Sequence, residues 1–176
     1  MFLKRFHRDI AAVAAIEFAF IAPVLILMYF GLADLTEGFI VQRRVAHSAS
    51  AVGDLVAQSS TMTPSSISDV FMAAQSIISP FPTGTLEQRV SSITSNASDA
   101  QTVDWSQGNG MTPLATGATV TLPTTAISAN QSVIMSEVQY VYSSPINYIF
   151  TTPITFTNVY YLHPRVSAQV TCPTCG

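Results

Sequence analysis

From Ile10 to Ala33 the chain reads IAAVAAIEFAFIAPVLILMYFGLA, apolar at nearly every position and carrying one charge, Glu17. A run of about 24 residues, at about 1.5 Å each, is long enough to cross roughly 30 Å of hydrocarbon as a helix. Past Asp34 the apolar positions thin to a stripe. Val41, Val45, Ala49, Val52 and Val56 recur in steps of three and four, which is one face of an amphipathic helix. Gly38 and Gly53 weaken that helix locally by about 1 kcal/mol each. The pattern therefore predicts one long helix from about Ile10 to Ser59, half in a bilayer and half outside. Its outer stripe has two uses: a spine that packs on neighbouring chains, or a face that packs on the chain's own domain.

Thr63-Pro64 reads as an N-cap with proline at the first helical position. Ile67, Val70, Phe71, Ala74 and Ile77 share a helical face, and Pro80 and Pro82 end it. A second helix over Pro64 to Ser79 follows. From Leu86 the period changes to two. Val103 and Trp105 alternate, Gly108-Asn109-Gly110 marks a turn, and Ala118, Val120 and Leu122 alternate. Ile134, Val138, Tyr140 and Tyr142 share a face of a long strand, and Val166, Ala168, Val170 and Cys172 a face of a last one. Helices first and strands afterwards predict an α+β fold with a mainly antiparallel sheet. Pro145 to Phe156, PINYIFTTPITF, is apolar and aromatic but broken by prolines, a poor central strand. Exposed, it is a contact patch for a partner or a membrane surface; buried, it is a loop covering the core. The expected organisation beyond the apolar run is a stalk helix over 35–60 and an exported domain over 61–176.

Composition sharpens this picture. Only 10% of the 176 residues are charged, against roughly 25% in ordinary soluble domains. From Ser48 onward Ser, Thr, Asn and Gln take their place, a surface suited to an exported domain. The net charge of −3 argues against nucleic-acid binding. Lys4, Arg5 and Arg8 precede the apolar run, and Asp34 and Glu37 follow it. The positive-inside rule then places the N-terminus in the cytoplasm and the domain outside. The apolar run is too long for a cleaved secretory signal, whose core spans about 7–15 residues.

Glu17 is the informative residue. A carboxylate at the centre of a spanning helix costs on the order of 3 kcal/mol and marks a functional site by default. No basic residue of the same helix reaches it, so its partner belongs to another chain or is a terminal amine. The plainer reading is a neutral side chain, or one that reaches for the interface. Ala11 to Leu25, AAVAAIEFAFIAPVL, behind a short basic leader, resembles the N-terminal signature of the TadE/TadG-like pseudopilins of the tight-adherence (Flp-type) pilus. The ending Tyr161 to Cys172, YLHPRVSAQVTC, is similar to endings of that family. The resemblance implies cleavage by a prepilin peptidase between Ala12 and Val13, and with it a leader over residues 1–12 and a transmembrane helix over 13–34. Ala12 stands where the family usually has Gly. It also implies that Glu17, beside Phe18, sets the assembly register by pairing with the amine of a neighbouring subunit, and that Pro23 is the helix proline.

Other chemistry is sparse. His7, His47 and His163 show no metal spacing, and no nucleophile-elbow, phosphate-loop or dinucleotide motif is present. Cys172-Pro173-Thr174-Cys175 has only Gly176 after it, so no following helix can lower a thiol pKa. Zinc would find two ligands, or three with His163, where about four are needed. A local disulfide or two free thiols remain. Asn96-Ala97-Ser98 and Asn130-Gln131-Ser132 are sequon triplets with no further support.

The sequence thus predicts a non-catalytic minor pseudopilin without cofactor or metal. It would sit in the bacterial inner membrane with its domain in the periplasm, and could enter an extracellular pilus. The expected partners are the lipid bilayer, other pilins and pseudopilins, the pilus-assembly machinery and a prepilin peptidase, with no nucleic acid and no small-molecule substrate. The alternatives are a membrane-anchored periplasmic binding or adhesion module with no filament role, and an anchored enzyme.

Overall fold

The computed structural model describes the backbone of residues 10–175 and the side chains of residues 13–175. The basic leader, with Lys4, Arg5, His7 and Arg8, and the side chain of Ala12 lie outside the described residues. The elements run α1 (Ile10–Ala57), α2 (Pro64–Ile78), β1 (Leu86–Ser95), β2 (Gln101–Asn109), β3 (Thr119–Val120), β4 (Ser132–Tyr142) and β5 (Ile154–Leu162). The fold is α+β. The sheet has the order β3-β2-β1-β4-β5, and every pair is antiparallel.

The chain divides into two compact units. The first comprises the described residues through Phe39 with Ser143–Pro153, and the second Ile40–Tyr142 with the described residues from Ile154. α1 contributes to both.

In the second unit the stripe foreseen on α1 is buried against the unit's own sheet and helix. Val41, Val45, Ala49, Val52 and Val56 are all fully enclosed. Val52, Val56 and Ala57 join Ile67, Phe71 and Ala74 of α2, and Val90, Trp105 and Ile134 of the sheet, in one core. Gly53 makes the close approach possible. A Cβ there would come within 2.5 Å of Leu162 Cδ1 and 3.3 Å of Ser136 Cβ. α2 begins as its sequence foretells. Thr63 Oγ1 accepts from the Ser66 amide at 3.2 Å, and Ser66 Oγ accepts from the Thr63 amide at 2.9 Å, a reciprocal cap. Its buried face ends on Ile78, with Ile77 half-exposed. Arg44 of α1 caps its other end by donating to the carbonyls of Ile77 and Ser79.

The opposite face of the sheet has its own cluster. Ile93, Val103, Val133 and Met135 are covered by Leu122, Ala126 and Ile127 from the long β3–β4 connection. Val103 and Trp105 were expected on one face and lie in different clusters. The register shifts there: Ser92 pairs with Trp105 and Ile93 with Val103, leaving Asp104 as the extra residue of a β-bulge. The Asp104 carboxylate accepts from Ser92 Oγ at 3.0 Å and Thr94 Oγ1 at 2.7 Å across the strand pair.

Two expected strands need correction. The strand through Ala118, Val120 and Leu122 shrinks to Thr119–Val120. The last strand, through Val166, Ala168, Val170 and Cys172, does not form. Val166 and Ala168 are exposed, Val170 and Cys172 buried, and Thr171 makes a single bridge to Thr61. The Val170 carbonyl is taken by the Trp105 indole N–H at 2.8 Å, so that segment serves as a lid on the tryptophan instead of a ladder. The fifth strand is Ile154–Leu162, an edge strand that starts just after Pro153, where a proline removes no ladder bond.

Candidate functional site: the apolar helix and the loop held against it

Among the described residues of the first unit, the large apolar side chains of the run are left uncovered. Val13, Ile16, Phe18, Phe20, Ile21, Val24 and the large residues onward to Leu32 are exposed on every side of α1. Phe20 keeps 76% of its surface. A helix apolar all round belongs in the core of a large protein or in a membrane. Among the described residues this is one helix long and apolar enough to cross a membrane. Pro23 sits within it. A proline there removes one backbone bond and costs about 3 kcal/mol in a water-exposed helix.

Glu17 is exposed in the middle of this surface, four residues after Val13, so the two share a helix face one turn apart. Phe18 is likewise exposed. Among the described residues no hydrogen bond or ion pair engages Glu17. Val13, Glu17 and Phe18 are thus all exposed on the same stretch of the helix.

The sequence pattern missed the second feature of this unit. Asp34, at the end of the apolar run, is fully buried. Its Oδ2 accepts from three successive backbone amides: Tyr148 at 3.3 Å, Ile149 at 2.6 Å and Phe150 at 3.0 Å. Ser144 Oγ donates to Asp34 Oδ1 and itself accepts from the Ile146 and Asn147 amides at 3.1 Å each. Two side-chain groups therefore satisfy five consecutive N–H donors of the loop. Hydroxyl capacity, one donor and two acceptors, is fully used at Ser144. The Asn147 amide nitrogen, oriented as its neighbours require, donates to the carbonyls of Phe150 at 3.1 Å and Thr151 at 3.3 Å. Gly31 and Gly38 leave room for this loop. A Cβ on Gly38 would meet Phe150 Cε2 at 2.6 Å, and one on Gly31 would touch Ile149 Cδ1 at 3.4 Å. PINYIF is thus neither strand nor core cover: Tyr148 and Ile149 stay exposed. No local spacing could reveal the clamp, because Asp34 and Ser144 are 110 positions apart. The only hint was an acidic residue closing the run and a proline-broken aromatic stretch unfit for a strand.

The remaining predicted residues lie in the second unit. Cys172 and Cys175 are joined by a disulfide, and both side chains are buried beside Val170 and Trp105. They act there as core residues. His163 Nδ1 lies 3.2 Å from the Ser132 carbonyl. Among the described residues no group of three metal-ligating side chains occurs. An open hollow beside α1 is lined by His47, Ser50, Asp54, Leu162 and Arg165. There Asp54 is paired with Arg165 and accepts from Gln58 Nε2 at 2.6 Å, so its carboxylate is committed to structure. Asn96, of the first sequon, shapes the β1–β2 turn: its Oδ1 accepts from the Ser98 and Ala100 amides at 2.9 Å each.

A family model described as "TadE-like protein" matches residues 12–54. No curated protein and no solved structure matches the chain. The matched segment contains Val13, Glu17, Phe18, Pro23 and Asp34. Residues 12–54, from the exposed apolar run through most of the buried stripe, are therefore a TadE-like domain.

Proposed function

We propose that the chain is a minor pseudopilin, a non-catalytic assembly component of a tight-adherence (Flp-type) pilus or secretion system. TadE-like proteins are associated with that machinery and are generally non-catalytic, and the family match covers the segment on which the reading depends. The observation that carries it is Glu17, a carboxylate presented outward from a helix that is apolar on all sides. α1 holds the protein in the bacterial inner membrane, with its N-terminus cytoplasmic and its exported domain periplasmic.

The mechanism follows from the cost of charge in hydrocarbon. In the uncut chain the Val13 nitrogen is a peptide amide. Cleavage between Ala12 and Val13 by a prepilin peptidase turns it into an α-amine. An amine and a carboxylate are each expensive alone in a low-dielectric medium and tolerable only together. The Glu17 of one subunit and the Val13 amine of its neighbour then meet at one axial offset. The pair acts as a register and adds little stability. Phe18 and the surrounding apolar side chains supply the packing surface, and pilins, pseudopilins and the assembly machinery supply its partners.

The experiment is complementation of a deletion strain with Glu17→Ala. The variant should insert into the membrane as well as the parent or slightly better, and pilus assembly should be lost. Normal piliation would remove the register.

One observation favours a second reading, a membrane-anchored periplasmic binding or adhesion module. The stripe from Val41 to Val56 is consumed by the chain's own core and is not free to pack on other stalks. An intact leader and a monomer in detergent extracts would support it.

A further inference from the structure

We propose that the Ser144–Phe150 loop is a second membrane contact, seated at the headgroup–acyl boundary on the domain side of the bilayer and held there by Asp34. This rests on reading the apolar run of α1 as a membrane span. Three observations carry it. The first is level along the helix. Tyr148 and Ile149 reach Gly31, which lies within the apolar run and about 4.5 Å on its membrane side of Asp34. Whatever surrounds the last turn of the span therefore surrounds these side chains too.

The second is chemistry. Tyr148 and Ile149 are exposed, as is Tyr29 at the same end of the run. Tyrosine, with an apolar ring and a polar tip, is enriched at the membrane–water interface. The third is the backbone. Irregular chain at membrane depth is tolerated only where its polar groups are satisfied without water. The five amides from Ile146 to Phe150 are satisfied by Ser144 Oγ and Asp34 Oδ2. Asn147 serves two of the carbonyls. Asp34 is then a positioning residue: it closes the span and folds the loop back onto it.

The test uses the full-length chain in phosphatidylcholine–phosphatidylglycerol vesicles containing lipids brominated either high or low on the acyl chain. Bromine quenches a tryptophan within contact distance. Trp105, the chain's single tryptophan, is buried in the core and serves as the baseline. Tyr148→Trp should add emission that the high bromines largely remove and the low bromines leave. Leu25→Trp should lose its emission to the low bromines. Asp34→Ala in the Tyr148→Trp chain should abolish the shallow quenching while Leu25→Trp and Trp105 behave as before. If Tyr148→Trp escapes both lipids while Leu25→Trp is quenched, the loop lies in water or against a protein and the proposal fails with the span intact. If Leu25→Trp also escapes, the spanning reading fails and takes this one with it. Persistent shallow quenching in Asp34→Ala would overturn the clamp.

Discussion

Residues 13–32 and 41–56 of α1 draw on the same apolar side chains and meet opposite surroundings. In the first stretch the large residues are exposed on every side; in the second Val41, Val45, Ala49, Val52 and Val56 show no surface at all. The difference lies in arrangement. A stripe with Gln42, Arg43 and His47 between its members has one face to bury, and its own sheet buries it. A stretch with no polar face has no side to give to water, and this one is long and apolar enough to cross a membrane. Only the second stretch contributes to folding in water.

That contrast breaks most sharply at Ile134 and Ile21. Ile134 is fully enclosed between the sheet and the helices, and Ile21 is 55% exposed. Ile134→Ala should cost about 2–5 kcal/mol. Ile21→Ala should stay within about 0.5 kcal/mol. Denaturant titration of the full chain in detergent, read by Trp105 fluorescence, measures both. Equal losses would mean that the apolar run belongs to the folded core after all.

A smaller effect is expected at Gly53, where the stripe meets the sheet. Gly53→Val would press on Leu162 and on Ser136 Cβ of the buried strand, and overpacking of this kind costs about 1–3 kcal/mol. Gly84→Ala, whose added Cβ would meet nothing within 4 Å, is the neutral control. A neutral Gly53→Val would mean that the helix does not lie as close to the sheet as described.

The smallest effect is alkaline. Burial raises the Tyr140 phenol above its ordinary value, against a lowering hydrogen bond with Thr85, and burial plus the Glu137 charge raise Tyr161. A group whose folded pKa is raised contributes stability that is complete below its unfolded pKa, about 10, and lost as pH rises through the folded value. The second unit should therefore weaken above about pH 10. Tyr140→Phe should flatten that limb of the stability–pH curve, and an unchanged limb would show that the phenol is not held from water.

What the sequence revealed followed from local pattern. The apolar run, the stripe, the Thr63 cap and the alternation of Ile134, Val138, Tyr140 and Tyr142 are properties of neighbours in the chain, and each forms its element. The bulge at Asp104 was invisible because period-two alternation assumes an unbroken ladder. It separates Val103 from Trp105, which the alternation put together. The strand expected from Val166 to Cys172 had the right alternation, but its carbonyl at Val170 is claimed by an indole 65 residues away. At the candidate site, Glu17 stood out because a charge in an apolar run is locally anomalous. Asp34 did not, because its meaning depends on a loop at the far end of the sequence.

The proposed role of this helix as a processed assembly segment, with Glu17 pairing with an amine, depends on cleavage after Ala12. Intact mass of the protein from membranes, with and without the prepilin peptidase, reads that cleavage. The expected result is a peptidase-dependent loss of Met1 to Ala12, leaving Val13 as the first residue. A full-length chain in both membranes would contradict it and leave Glu17 with no α-amine to meet.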